Sequence, residues 1–308
     1  MLESFLAVGT QVAILFLLVG IGFALGKLNK MDDRASLGMT NLVIYVVAPS
    51  MMIVSFQRPL ESQSLRNFGI VIAIAIAVHL FSAVCSYPMI RDKDPERRHT
   101  LQYASIFTNC GFMAFPLQNA LLGSIGIFYG SAYSLVFTVL GWTYGVYLLT
   151  GDKSKLGIKP ILMNPGVIGS AIALALYLGQ VTLPEIIFTP LEYMAGLNTP
   201  LPMVILGYQL SHADLRTAIR GVSSWVTALL GLIVTPVVAL VLCLVLHVDA
   251  PVTIVVTIAA AAPPAALLSM MSVKFGKDAE LASSITSVHT LLSALTMPVI
   301  VGLAQYLA

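Results

Sequence analysis

Charge is scarce in this chain of 308 residues: Asp, Glu, Lys and Arg make up 10% of it, against 58% hydrophobic residues. A soluble protein of this size carries roughly a quarter charged residues to cover its surface, so a soluble fold is excluded. Cysteine is nearly as scarce. Cys85, Cys110 and Cys243 all fall in apolar segments, which rules out a disulfide framework and a thiolate metal pattern. No acidic residue stands in the middle of an apolar run, so no buried carboxylate pair is on offer. Gly-x-Ser-x-Gly and His-Glu-x-x-His are absent too, so no catalytic residues, metal ligands or cofactor are expected, and the chain reads as no enzyme. A channel would need a charge ring or a repeated filter sequence, and neither is present. The net charge of +2 sits in short loops and offers no face to nucleic acid.

What is present is apolar length. Runs of about 20 residues, each enough to span ~30 Å of hydrocarbon as a helix, fill most of the chain. The first, 5–26, has no basic region ahead of it and flows into a full-length segment, so no cleavable leader is expected. Ten spans are expected, at 4–26, 36–56, 67–90, 100–122, 127–150, 161–179, 190–210, 222–247, 252–272 and 281–306. Lys and Arg in short loops mark the cytoplasmic side. With both termini outside, 14 of the 16 basic residues fall in cytoplasmic loops, and only Arg58 and Arg66 fall outside. The expected setting is a multi-pass protein of a bacterial inner membrane, with the lipid bilayer as its solvent.

Five spans precede the basic loop GDKSKLGIKP (151–160) and five follow it. An odd number per half makes any repeat inverted across the membrane. Residues 1–150 are therefore read as one five-helix repeat and 151–308 as its inverted partner. Pro49 in the second span pairs with Pro200 and Pro202 in the seventh. The stretch TNCGFMAFPLQN (108–119) in the fourth pairs with IAAAAPPAALLSMM around Pro263 and Pro264 in the ninth. Paired interruptions in corresponding spans point to a transporter's midplane site.

Pro116, beside Gly111, and the Pro263–Pro264 pair interrupt the helical ladder. Freed backbone groups must then line a wet cavity or be buried in protein. Half-helix N-termini carry partial positive charge and free N–H donors, which suit a carboxylate. Asn109, Cys110, Gly111, Pro116 and Gln118 from the first break, with Pro263, Pro264 and Ser269 from the second, are the expected substrate-binding residues. Asn41, Tyr45, Pro49, Asn198 and Pro202 are candidates to face them from the second and seventh spans. His289, on a polar stretch of the tenth span, is read as a proton or substrate contact and His79 more weakly so, with satisfied packing the alternative for both. Tyr45, Phe107, Phe112, Phe115, Tyr133 and Trp142 flank the expected site and read as core packing, and Trp142, Tyr144 and Tyr147 also read as an interfacial belt.

The stretches TNCGFMAFPLQNALLGSIGIFYGSAYSLVFTVLGWTYG (108–145), NPGVIGSAIAL (164–174), LEYMAGLNTPLPMVILGYQLS (191–211) and AAPPAALLSMMSVKFGKDAELASSITSVHTLLSALTMP (261–298) together resemble the auxin efflux carrier family. That family groups plant PIN-type carriers with bacterial malate and malonate permeases, within a wider superfamily that includes the bile acid/sodium symporters. The resemblance implies an all-α fold of two inverted five-helix repeats with broken, crossing fourth and ninth helices. It implies a scaffold and dimer surface from 4–56 and 161–210, and a transport domain from 67–150 and 222–306 that moves like an elevator. It also implies a homodimer and a small organic anion, a mono- or dicarboxylate, as substrate. Asn109, Gly111, Pro116 and Pro263 fall on the family's break motifs. Pro264 and Leu267 depart from them, replacing a small hydroxyl residue and an amide. Facilitated export and proton-coupled uptake, with H+ as coupling ion, both fit. Two rival readings are a sodium-coupled symporter of the bile-acid type and a membrane sensor that binds ligand without moving it.

Overall fold

A computed structural model describes residues 2–308, with the side chains of residues 2–4 and 217 left aside. Among the described residues every regular element is a helix. The longer ones, in chain order, are α1 (Leu2–Lys27), α2 (Asp33–Phe56), α3 (Ser62–Met89), α4 (Pro95–Ile106), α5 (Ala114–Leu122) and α6 (Ser124–Thr150). The second half holds α7 (Pro165–Leu178), α8 (Glu185–Gly196), α9 (Pro200–His212), α10 (Val222–Val245), α11 (Ala250–Ala261), α12 (Leu267–Lys274) and α13 (Ala279–Leu307). Six of them (α1, α2, α3, α6, α10 and α13) are individually long and apolar enough to cross a membrane. Taken together as one span, α7 and the turns before it, bent by 43°, are a seventh segment long and apolar enough to cross. The remainder come as broken pairs: α4 with α5, α8 with α9, and α11 with α12.

Several helices begin ahead of the apolar runs that announce them, and the reason is capping. Asp32 accepts from the Ala35 N–H at 2.8 Å, Asp94 from Glu96 at 2.9 Å and Asp278 from Leu281 at 2.8 Å. Each such cap is worth ~1 kcal/mol, so a polar first turn extends beyond the hydrocarbon segment. The Asn164–Pro165 dipeptide starts α7 in the same way, with Asn164 Oδ1 accepting from Gly166 and Val167.

The prolines do not all break helices. Pro49 is expected to interrupt its span, yet α2 runs on through it. A π turn at Val43–Val47 just before it widens the ladder, which absorbs the missing donor. Pro236 in α10 is preceded by a π turn at Leu230–Val234. Pro116 falls in the first turn of α5, where an N–H has no intrahelical partner in any case.

Two groups of helices emerge from the packing. α1 lies along α9, and α2 packs on α7, α8 and α9; α1 also packs on α13 of the other group. In the other group α3 meets α6, α10 and α11, α4 meets α10 and α13, and α5 meets α6 and α11. Close approach in the first group depends on glycine. A Cβ on Gly22 would overlap the Val204 carbonyl, and one on Gly207 the Val19 carbonyl. Between the groups, Phe56 of α2 and Tyr177 of α7 pack on Phe68 of α3 and Phe128 of α6, with the Phe56 and Phe128 rings 4.5 Å apart. Large apolar side chains such as Leu17, Val84 and Leu295 face outward, as a lipid-facing belt requires.

Candidate functional site

The two chain breaks lie side by side and are joined antiparallel. The Asn109 N–H donates to the Pro263 carbonyl at 2.6 Å, and the Ala265 N–H donates to the Phe107 carbonyl at 2.9 Å, with Thr108 opposite Pro264. Thr108 Oγ1 also donates to the Ala259 carbonyl at 2.7 Å, satisfying one acceptor that the end of α11 leaves open. Pairing the breaks in this way meets the backbone demand that an interrupted helix raises in an apolar surround. Each break then opens into a fresh helix, α5 on one side and α12 on the other. The first turns of both bring partial positive charge to the same neighbourhood, with the Ala114, Leu268 and Met270 N–H groups already donated to the Asn109, Ala265 and Ala266 carbonyls.

Asn109 is the centre of the arrangement. Its Oδ1 accepts from the Phe112 N–H at 3.0 Å, while its buried Nδ2 has no partner. A buried donor left unpaired costs about 1–3 kcal/mol, which a ligand acceptor would recover. Asn109 lines a cavity of about 960 Å³, as do Cys110, Gly111, Ser269, Asn41, Tyr45 and Asn198. Asn198 sits in the break between α8 and α9 and repeats the pattern: 3% exposed, with Nδ2 buried and unpartnered. Two amide donors without partners thus belong to residues that line one cavity, one from each helix group.

Other expected residues stand outside the cavity lining. Gln118 is fully buried, and its Nε2 donates to the Val255 carbonyl of α11 at 3.1 Å. It ties α5 to α11 instead of reaching a ligand. Pro263 and Pro264 are buried in the paired breaks, where the Pro263 carbonyl is an acceptor. Pro116 and Pro202 lie in helix first turns, and Pro49 packs against Gly169. His289 is buried against α10, hydrogen-bonded to the Ser224 backbone and beside Trp225. His79 lies 5.3 Å from the Tyr133 ring, with Nδ1 on the Ala75 carbonyl at 2.7 Å and Nε2 unpartnered.

The cavity also holds aromatics that the sequence places beside the site as packing, and residues that it does not single out. Phe112, Phe115, Phe137 and Met52 give it apolar walls, and Ser134 and Thr138 give it hydroxyls. Lys159 and Lys274 line it, with Asp33 as the one carboxylate on the lining. That carboxylate already accepts from the Tyr208 hydroxyl at 2.7 Å. Trp142 lines the cavity too, instead of belonging only to an interfacial belt. Among the described residues no group of three His, Cys, Asp or Glu is placed to hold a metal ion. The chemistry on offer is neutral amide donors, helix N-termini and ammonium groups, all of which favour an anion.

Residues 7–301 match a protein-family model described as membrane transport protein. An uncharacterized transporter of Methanothermobacter thermautotrophicus is 25% identical over 288 residues, covering 91% of this chain and 93% of that protein. An uncharacterized transporter of Methanocaldococcus jannaschii is 23% identical over 300 residues, covering 93% and 95%.

Proposed function

This chain belongs to the membrane transport protein family, that of the auxin efflux carriers, and from that premise we propose that it is a secondary carrier of small organic anions. The observation that carries the reading is the Asn109 Nδ2, a buried donor without a partner, at the rim of a cavity where two half-helix N-termini meet. A carboxylate placed there accepts from Asn109 and from first-turn N–H groups of α5 and α12. Asn198 adds a donor from the opposite wall. Aromatic and methionine side chains along the cavity accommodate an apolar carbon skeleton.

In this reading each broken pair makes one crossing, for ten spans, and the two halves are inverted repeats. The packing supports it. α4 meets α10 and α13 in the way that α11 meets α3 and α6, as a two-fold between the breaks would require. Helices α1, α2 and α7–α9 form the scaffold and, in a homodimer, the subunit contact. The remaining helices form a transport domain that carries the site past the scaffold. The basic loops lie on the cytoplasmic side of the plasma membrane, both termini lie outside, and the lysine-lined mouth of the cavity opens inward. A proton is the coupling ion that this reading admits.

The test is flux into proteoliposomes from a panel of carboxylates, with Na+ and pH gradients imposed separately. Carboxylate flux in the wild type, reduced at least tenfold in Asn109→Ala while the variant stays folded and monodisperse, is the expected result. A carboxylate flux unaltered by Asn109→Ala would remove the site from this break. Binding without flux under every gradient would make the protein a ligand sensor instead.

A further inference from the structure

The wall of the cavity holds a cation that the carboxylate seat leaves unused. Lys274 is the last residue of α12, and its Nζ lies 4.8 Å from the centre of the Trp142 ring. Among the described residues the one salt bridge joins Arg97 and Asp92, so no carboxylate neutralises Lys274. Trp142 brings a second donor, because its Nε1 is buried and unpartnered. Both residues line the same cavity as Asn109.

Position along the cavity matters as much as charge. Lys274 is seven residues beyond Leu267, the start of α12, which is ~10 Å along the axis. Long side chains on a helix lean back toward its N-terminus, and this one is held over Trp142. Trp142 follows Gly141, where an added Cβ would lie 3.5 Å from a methyl of Leu267. The ammonium thus lies between the Trp142 ring and that of Phe275, at 5.7 Å, and Trp142 adjoins the glycine that approaches Leu267 at the start of α12. A cation over an exposed aromatic face is weakly held, and a charged acceptor makes the stronger partner. An anionic group in the cavity draws the ammonium off the ring.

We propose that Lys274, backed by Trp142, is a second anion subsite that selects substrates carrying two acidic groups. One carboxylate sits at Asn109 and the half-helix ends, the other at the ammonium, and Leu267 and Met270 flank the carbon chain between them. The proposal rests on the carboxylate-carrier reading above and adds to it a residue that sets specificity.

Succinate and butyrate have the same carbon count and differ in one carboxylate, so their fluxes in proteoliposomes separate the two readings. Lys274→Gln is expected to lower succinate flux by about tenfold or more and to leave butyrate, where the wild type carries it, within about twofold. Lys274→Arg is expected to keep succinate flux, and Lys159→Gln, at the other cavity lysine, to leave the preference between the two acids unchanged. A preference unchanged in Lys274→Gln overturns the proposal, as does an equal loss of both fluxes in a folded protein or a wild type that carries only butyrate. If the wild type neither binds nor carries either acid, the carboxylate reading fails first and this subsite falls with it.

Discussion

His289 stands among serines and threonines in α13, and that neighbourhood makes it look like a proton or substrate contact. Its ring instead meets the Ser224 backbone on α10 and is not among the residues that line the cavity. His289→Gln is therefore expected to keep the wild-type pH dependence of flux, with the amide supplying the donor to Ser224. A flattened pH profile in that variant would return the proton to His289. Asn109, Cys110, Gly111 and Ser269 were legible as cavity residues because helix breakers and amides in an apolar run have few other uses. Gln118 carried the same signal and had a structural use, the tie to Val255. Lys274 was missed, and Trp142 was read as packing or interfacial belt, for a physical reason. A lysine near a span's inner end satisfies the charge rule for loops, and an aromatic there satisfies the interfacial rule, whether or not a cavity lies between them.

Helices carry a second kind of information, which is where they can touch. Gly22 and Gly207 let α1 and α9 approach until backbone meets backbone. Gly207→Ala places a methyl into the Val19 carbonyl and has no side-chain end to displace, so it is expected to cost ~1–3 kcal/mol. Thermal unfolding in detergent checks this against Gly9→Ala, where a Cβ meets nothing within 4 Å. Equal midpoints for the two variants would show that the α1–α9 contact yields freely. That the chain is all helical, with several helices long and apolar enough to cross a membrane, was readable from apolar length. Element boundaries were less so, since hydropathy sees the hydrocarbon part of a helix and misses a polar first turn set by Asp32, Asp94 or Asp278. Nor does proline content tell a break from a π turn. Pro49 is carried through by the π turn ahead of it, whereas the Pro263–Pro264 pair ends α11 because its backbone is claimed by the opposite break.

Across the whole molecule, the two helix groups touch along α1 and α13 and at one closed end, and they part around the cavity. The closed end is an aromatic contact: Phe56 and Tyr177 from one group against Phe68 and Phe128 from the other. Arg58 lies over the Phe128 ring at 5.4 Å, its Nε buried without a partner. Its loop is anchored to the first group, where the Leu183 N–H donates to Gln57 at 2.9 Å and the Leu60 N–H to Gln180 at 3.1 Å. If the second group slides past the first to expose the site on the other side, this aromatic contact must separate in every cycle. A short bifunctional thiol reagent joining Phe56→Cys to Phe128→Cys, in a background without Cys85, Cys110 and Cys243, is therefore expected to stop flux. The same crosslinked protein is expected to leave a cysteine at Tyr45, on the cavity wall, open to labelling from the lysine-rich side. Flux that survives complete crosslinking would mean that the two groups need not part here, and the sliding mechanism would give way to one confined to the breaks themselves.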